Sequence, residues 1–287
     1  MNIIVISGPT ACGKTKKAIE FCKKMSGEIV SCDSRQIYKY LDIGTNKNGV
    51  LLKNGLRKID GIVQHLTDII NPDQSYSAAD FVKAADAEIF KILNKGKIPI
   101  IVGGTGLYIK ALLYGLDYSI PKSNKALRRE LKTKSCDELY DELLKLDPQA
   151  AKKNKKNPHR LIRALEINIL SRKRLEDHYK LKIPRYTFKH YSICCTDIET
   201  LYKKINERCK CMIRNGMIEE TQKVINMGFK ENCPALSGIG YRYIVQYLNN
   251  NISKNDLILK FSRDTRHYVK RQNTWFKAQP DTKFIYI

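Results

Sequence analysis

The chain has 287 residues, with 52 lysine and arginine residues against 29 acidic ones, and its formal net charge at pH 7 is +23. This length can bury a substantial core in one large or two modest domains. No stretch approaches the ~20 consecutive apolar residues of a membrane span, and the first residues lack a signal peptide's layout. The nine cysteines form no C-x-x-C pair, which argues against a zinc finger or a disulfide framework. We therefore expect a cytoplasmic, reduced, monomeric protein without a membrane segment.

Short apolar runs alternate with helical patterns in the first half of the chain. The predicted strands are 3–6, 28–31, 63–67 and 98–102. The predicted helices are 16–24, 34–40 and 77–94. Such alternation predicts an α/β fold in which helices cover both faces of a parallel sheet. The intervening segment 44–61 is polar and rich in glycine, asparagine and lysine, so we expect a mobile loop there.

The second half begins with amphipathic helical patterns and no strand pattern. Asn157 and Pro158 predict a helix N-cap followed by the first helical position. The helix they open places Leu161, Leu165 and Ile169 on one stripe. A strand is predicted at 190–196, then helices at 198–215 and 253–275 and a last strand at 283–287. We expect a catalytic core of residues 1–120 and 190–287 with an all-helical insertion at 121–189.

The predicted insertion is strongly basic. Residues 122–189 include 20 basic and 9 acidic residues, an excess of 11 positive charges. A polyanionic partner, nucleic acid above all, is the natural interpretation, while a lysine-rich proteome is the alternative. In the last helix Arg263, Arg266 and Lys270 share one face, which is either solvated or follows phosphates.

Residues 8–15 read GPTACGKT and match the phosphate-loop pattern G-x-x-x-x-G-K-[ST] between a predicted strand and a predicted helix. In that setting the backbone N–H groups and the helix dipole point at an anion. Lys14 adds a full charge, and the Thr15 hydroxyl is placed to reach a phosphate-bound metal ion. This predicts a P-loop NTPase-like parallel sheet. A plain glycine turn is the alternative, but it gives no reason for the Lys14–Thr15 pair.

Polar residues follow two other predicted strands. Asp33 comes after the second strand and is expected in the crevice of the phosphate site; its alternative role is to cap the predicted helix 34–40. The strand 98–102 ends in Gly-Gly-Thr-Gly, including Thr105, where a phosphate-loop kinase or ATPase usually has a magnesium-binding aspartate. Arg208 borders a buried helical stripe, where an arginine usually needs an anionic partner.

Eight segments occur in order along nearly the whole chain: GPTACGKT, SCDSRQIY, DIGT, GGTGLYIKALLYGL, NPHRLIRALE, RCKCMIRNGMIEE, GIGYRY and VKRQNTWF. Together they resemble the tRNA dimethylallyltransferases, also called tRNA isopentenyltransferases. The chain departs at Asn46 and Asn48, reading GTNKN rather than GTAKP, which affects the expected path of the 44–61 loop. It lacks the C-terminal zinc finger of eukaryotic members and resembles the bacterial form.

The resemblance implies transfer of a dimethylallyl group from its diphosphate to the exocyclic amine of the adenine 3′-adjacent to the anticodon in tRNA. The partners are then dimethylallyl diphosphate and the tRNA anticodon stem-loop. The phosphate loop would bind the donor's diphosphate rather than support ATP hydrolysis. The adenine has to leave its stack to reach the donor.

The resemblance also implies residue roles. Asp33 is the base, Thr105 donates to the departing bridging oxygen, and Arg208, Lys14 and Mg²⁺ near Thr15 neutralise the diphosphate. The diphosphate-binding residues are Gly8, Pro9, Thr10, Ala11, Cys12, Gly13, Lys14 and Thr15. The tRNA-binding residues are Asp33, Ser34, Arg35, Gln36, Thr105, Arg128, His159, Arg160, Leu161, Ile162 and Arg163.

Three rival functions remain at this point. An adenylate dimethylallyltransferase performs the same chemistry on a free nucleotide but needs no basic insertion. A phosphate-loop kinase of a small metabolite conflicts with the Gly-Gly-Thr-Gly strand end. A non-enzymatic RNA-binding protein is the third, but RNA binding alone would give Asp33 and Thr105 no function.

Overall fold

The computed structural model describes residues 2–115, 121, 123–174 and 184–287, and the chain divides into two compact units. One unit comprises Met1–Leu113 and Arg185–Ile287, and the other comprises Tyr114–Pro184. Of the two expected domain boundaries, residue 120 lies outside the described residues. The other, at 189/190, lies inside a strand that begins at Thr187. No helix in the described ranges has the length and apolarity needed to cross a bilayer.

The first unit contains the strands and most of the helices. In the first half of the chain its elements are β1 (Asn2–Ser7), α1 (Lys14–Met25), β2 (Gly27–Ser31), β3 (Val50–Leu51), β4 (Arg57–Ile59), β5 (Ile62–His65), α2 (Ala78–Asn94), β6 (Ile98–Gly103) and α3 (Gly106–Tyr114). After the second unit they continue with β7 (Thr187–Cys194), α8 (Ile198–Arg214), α9 (Met217–Asn226), α10 (Tyr241–Leu248), α11 (Lys254–Lys277) and β8 (Thr282–Tyr286).

Within the described residues the strands form one eight-stranded sheet in the order β3-β4-β5-β2-β6-β1-β7-β8. From β5 to β8 every neighbouring pair is parallel, whereas β3, β4 and β5 pair antiparallel. Ser7 at the end of β1 lies opposite Gly103 at the end of β6. Because parallel strands bring their carboxyl ends to one edge, the segments after β1, β2 and β6 meet there. The predicted α/β fold is confirmed.

Two predictions for the segment between β2 and β5 are wrong. Residues 34–40 form turns rather than a helix, and the segment 44–61 contains the strands β3 and β4 rather than a loop alone. Ion pairs organise this segment. The buried Lys47 ammonium contacts Asp42 and Asp68 at 3.1 and 2.5 Å, and the Arg57 guanidinium contacts the same two carboxylates at 2.7 Å each.

The core of the first unit includes two hydrophobic clusters. One hydrophobic cluster joins β1, β2 and β6 to α1 and includes Ile6, Ala18 and Ile100. A larger cluster joins the turn after β2 to α8, α9, α10 and α11, and includes Ile37 and Tyr241. The first cluster packs α1 on the strands, and the second packs the turn after β2 on the helices that complete the site.

The second unit is helical in its described part, with α4 (Lys125–Leu131), α5 (Cys136–Leu146), α6 (Pro148–Asn154) and α7 (Pro158–Ser171). Asn157 caps α7 and Pro158 occupies its first turn, as predicted. Leu161 and Leu165 of the predicted stripe are fully buried in the cluster that joins the four helices. Ile169 does not belong to the buried face, since it is 42% exposed near the helix end.

His190 is a buried titratable group beside the start of the phosphate loop. Its Nε2 lies 2.8 Å from Ser7 Oγ on β1, and its Nδ1 lies 3.0 Å from Thr282 Oγ1 on β8. Burial lowers the pKa of His190 to about 4. The imidazole is therefore neutral in the folded protein at pH 7 and ties three strands together.

We predict that this histidine makes the folded state pH-sensitive. In the unfolded chain the imidazole has a pKa of ~6.5. The stabilisation of the folded state by the neutral His190 is therefore fully present above that pH and is lost as the pH falls towards about 4. Between pH 7 and pH 5 the free energy of unfolding should drop by about 2 kcal/mol more in wild type than in His190→Gln. Urea unfolding at both pH values measures this. The control His267→Gln, at an exposed position, should keep the wild-type difference; an equal drop in His190→Gln would contradict the prediction.

Candidate active site

The phosphate loop, residues 8–15, connects the end of β1 to the start of α1. Gly8 has φ +140°, and a Cβ there would lie 2.5 Å from the Ile193 carbonyl oxygen, so the close approach requires glycine. The Cys12 thiol donates to the Pro9 carbonyl at 2.8 Å and closes the loop. Gly13 precedes α1 in a left-handed conformation, without a side-chain cap. The first-turn N–H groups of α1 are thus left for an anion.

A cavity of about 240 Å³ opens over this loop. Loop residues form one wall, and the segment after β2, the 45–48 segment, β6 and α8 form the others. Its principal polar lining residues are Thr10, Lys14, Thr15, Asp33, Gln36, Thr45, Asn46, Asn48 and Arg208. The sequence-predicted Lys14, Thr15, Asp33 and Arg208 are therefore brought together, whereas Gly8, Pro9 and Cys12 shape the loop without lining the cavity. Asn46 and Asn48, where the chain departs from the family pattern, line it as well.

Two cations in this cavity lack a full counter-charge. The pKa of Lys14 is lowered chiefly by burial, and Asp33 partly offsets that effect. Burial likewise lowers the pKa of Arg208, again with Asp33 acting in the opposite direction. The Lys14 ammonium donates to the Pro9 carbonyl at 2.6 Å, and in the described part of the chain no hydrogen bond or ion pair holds Arg208. The site therefore favours a ligand that carries more than one negative charge.

Asp33 follows β2 and lines the cavity. One carboxylate oxygen accepts the Arg35 N–H at 2.8 Å, which stabilises the turn that replaces the predicted helix. Among the described residues Asp33 makes no further hydrogen bond, so its other oxygen can accept one from a ligand. The same side chain thus shapes its own turn and faces the cavity.

Thr105 lies next to Asp33 in the fold but does not line the cavity. Its Oγ1 accepts the Ser34 N–H at 3.0 Å and lies 3.4 Å from Ser34 Oγ. The Thr105 N–H in turn donates to the Cys32 carbonyl at 3.3 Å. These bonds join the segment after β6 to the segment after β2 and leave the hydroxyl proton of Thr105 weakly engaged.

A second cavity of about 290 Å³ adjoins the first. The two share the lining residues Thr10, Lys14, Asp33, Thr45 and Arg208. Beyond these shared residues the second cavity has apolar lining from Ile205, Cys209, Met212, Ile239 and Phe261, together with further polar side chains such as Arg35. A polar, cationic compartment therefore meets a mainly apolar one at Asp33.

The face of α11 that lines the second cavity was not predicted from the sequence. Phe261, Thr265, Tyr268 and Gln272 recur at spacings of four, three and four residues and all line it. Hydroxyl and amide groups at helical spacing among apolar residues are the signal that would have found this face. Burial, with the charge of Asp33 as a smaller cause, raises the pKa of Tyr268 well above its usual range, so its phenol is neutral.

The cationic residues of α11 lie elsewhere on the helix. Arg263 contacts Asp264 at 3.1 Å, Arg266 donates to the Asn206 side chain, and Lys270 is exposed. Two of the three are thus engaged with neighbouring side chains. The geometry is that of a partly solvated surface.

Of three more predicted positions, Ser34 and Arg35 line the second cavity and Gln36 lines the first. Arg35 also donates to the Pro234 carbonyl at 3.1 Å and to the Ala235 carbonyl. Gln36 donates to the carbonyls of the 45–46 segment at 3.2 and 3.3 Å. Arg35 and Gln36 therefore hold neighbouring loops in place in this structure.

In the helical unit the predicted RNA contacts fall into three groups. His159 and Arg160 are exposed. Arg128 and Arg163 both pair with the fully buried Glu166. The side chains of Leu161 and Ile162 are buried in the helical core, so packing accounts for both. The exposed cation among these residues is Arg160.

The chain is similar to known proteins over its whole length. The model of the IPP transferase family matches residues 36–279, and that of the isopentenyl transferase family matches residues 1–70. A tRNA dimethylallyltransferase of Endomicrobium trichonymphae is 72% identical over 286 residues, covering 100% of this chain and 95% of that protein.

Two solved structures extend this similarity to the fold. The full-length tRNA isopentenylpyrophosphate transferase of Bacillus halodurans superimposes with a TM-score of 0.72 at 33% identity, covering 99% of this chain and 89% of that one. A eukaryotic dimethylallyltransferase acting on tRNA has a TM-score of 0.79 at 25% identity, covering 99% of this chain and 73% of that one. The resemblance predicted from eight ordered motifs is confirmed: the chain belongs to the IPP transferase family.

Proposed function

We propose that this protein transfers a dimethylallyl group from dimethylallyl diphosphate to the exocyclic amine of the adenine 3′-adjacent to the anticodon in tRNA. Family membership makes it a prenyltransferase of the kind that modifies tRNA. The observation that carries the proposal is the junction of the two cavities at Asp33. A diphosphate with a short apolar tail matches a cationic compartment that opens into an apolar one.

The chemistry assigned to the junction is a substitution at the first carbon of the donor. The amine nitrogen forms a bond to that carbon while the bond to the bridging oxygen breaks. The electron pair leaves with the diphosphate, and the amine proton passes to Asp33. An aromatic amine is a weak nucleophile, so a carboxylate within reach of its proton lowers the barrier.

The leaving diphosphate gains negative charge as the bond breaks. Lys14, Arg208 and the N–H groups at the start of α1 stabilise that charge in a partly water-excluded cavity, where such interactions are strong. In this proposal the Thr105 hydroxyl turns from Ser34 to donate to the bridging oxygen. Thr105 directly follows Gly103 and Gly104 in the chain, and these glycines line the first and the second cavity.

The residues present fit a Mg²⁺ ion that binds together with the diphosphate. The Thr15 hydroxyl lines the first cavity near Asp33. The described residues contain no cluster of three His, Cys, Asp or Glu side chains suited to a metal, so such an ion would be held mainly by phosphate oxygens, Thr15 and water. When bound, it would supply charge neutralisation.

The helical unit supplies the proposed anticodon stem-loop contacts. Arg160 and His159 are exposed at the start of α7, where the helix dipole also favours phosphate. Arg128 and Arg163 contribute through the orientation that Glu166 gives them. This assignment agrees with the excess of positive charge in residues 122–189.

The direct test is to incubate the protein with labelled dimethylallyl diphosphate and unmodified tRNA, with AMP and ATP as alternative acceptors and MgCl₂ present or absent. Label in tRNA alone supports the proposal. Label in AMP or ATP would favour an adenylate dimethylallyltransferase, and phosphoryl transfer from ATP would favour a kinase. No transfer to any acceptor, with tRNA still bound, would favour an RNA-binding protein.

Replacing Asp33 by asparagine should lower the single-turnover rate by ~10²–10⁴-fold, because the base is lost. Binding of donor and tRNA should stay near wild type, since asparagine can still accept the Arg35 N–H. Asp73→Asn, an exposed position, is the control and should react normally. A near-wild-type rate in Asp33→Asn would leave Asp33 only the role of shaping its turn.

Thr105→Val keeps the volume of the side chain and removes the hydroxyl. The expected result is a rate loss of about 10²-fold at saturating substrates, the size seen when one donor to a developing oxyanion is removed. Thr105→Ser, which retains the hydroxyl, should recover most of the rate. If valine weakened only donor affinity, the hydroxyl would be a ground-state contact.

Arg160→Gln tests the RNA-binding surface without disturbing the Arg163–Glu166 pair. If Arg160 contacts one phosphate, tRNA affinity should fall and the slope of log affinity against log salt should decrease by about 1. Binding is measured over a salt series, with the exposed Lys23→Gln in the other unit as control. An unchanged slope in Arg160→Gln would move the phosphate contacts elsewhere, with the cationic face of α11 as the next candidate.

A further inference from the structure

Gln272 of α11 bridges two loops of the active site with both ends of its side-chain amide. Its Oε1 accepts the Thr10 N–H of the phosphate loop at 3.0 Å. Its Nε2 donates to the Gly104 carbonyl, just before Thr105, at 2.9 Å. The residue is 6% exposed, so both bonds are shielded from water and each amide atom already has a backbone partner.

The surrounding backbone is shaped to admit this contact. A Cβ on Gly104 would lie 2.4 Å from Gln272 Nε2, and a Cβ on Gly106 would lie 2.5 Å from the Trp275 ring. The glycines after β6 thus let α11 pack directly on the backbone that carries Thr105. In consequence, one helix fixes that backbone relative to the phosphate loop.

From this bridge we infer that Gln272 is a positioning residue for group transfer: it sets the separation between the phosphate loop and Thr105, so that a diphosphate bound to the loop presents its bridging oxygen to the Thr105 hydroxyl. This inference rests on the proposed function. Gln272 need not touch the reacting atoms, because its effect passes through the Thr10 and Gly104 peptide groups.

The chemistry of the bridge requires an amide of this length. One contact needs an acceptor and the other needs a donor, and a neutral amide supplies both. Glutamate cannot donate to the Gly104 carbonyl, and methionine has a similar length but neither polar group. A misplacement of ~1 Å between reacting groups can cost ~10²-fold in rate, so loss of the bridge should lower the rate more than donor binding.

The test compares Gln272→Met and Gln272→Glu with Gln279→Met. Gln279 lies just beyond the end of α11 and donates to the Trp275 carbonyl at 2.9 Å, so its replacement removes a similar hydrogen bond away from the two loops. We expect kcat to fall ~10–100-fold in both Gln272 variants, with KM for tRNA and the thermal midpoint close to those of Gln279→Met. The wild-type protein in the same assay distinguishes failure of this inference from failure of the proposed function. Absence of transfer by wild type would refute the proposed function itself.

A double-mutant cycle distinguishes positioning from general stabilisation. If Gln272 acts through Thr105, then Thr105→Val should cost far less in the Gln272→Met background than in wild type, because the alignment it relies on is already lost. Single-turnover rates of the four proteins measure this coupling. Multiplicative losses would overturn the inference. So would a thermal midpoint far below that of Gln279→Met in both Gln272 variants, since Gln272 would then be a folding residue.

Discussion

The active site depends on two cations, Lys14 and Arg208, that are partly removed from water beside a single carboxylate. Desolvation disfavours both charges, and Asp33 offsets only part of that cost. A ligand with two or more negative charges would restore the balance, and in the proposed reaction the departing diphosphate increases the charge that these groups stabilise. The same carboxylate lines both the cationic and the mainly apolar cavity, so anion binding and the proposed proton transfer share one location.

The parallel sheet makes this convergence possible. The segments that follow β1, β2 and β6 carry the phosphate loop, Asp33 and Thr105, although they are far apart in sequence. Parallel pairing places their starting points side by side, with Ser7 opposite Gly103. Helices α8 and α11 then close the site from the other side with Arg208 and Gln272. Each group with a proposed catalytic role thus lies on or directly beside an element of the core.

Sequence patterns predicted the strands β1, β2, β5, β6, β7 and β8 and the phosphate loop between a strand and a helix, because these depend on local periodicity and spacing. They failed where long-range contacts decide the outcome. The 44–61 segment is polar and was expected to be mobile, but Lys47 and Arg57 pair with Asp42 and Asp68 and order it. The apolar wall of the second cavity was also missed, because a periodic apolar stripe does not reveal whether it faces protein or a void.

The pairing of Arg128 and Arg163 with the buried Glu166 separates two roles of positive charge. At a distance, a polyanion experiences the summed field of the whole protein, in which internal pairs cancel and the surplus remains. At contact, it meets the side chains that are free to reach its phosphates. The speed of encounter is therefore set by the overall surplus, and the lifetime of the complex by those exposed cations that reach its phosphates. Evolution can adjust one without changing the other.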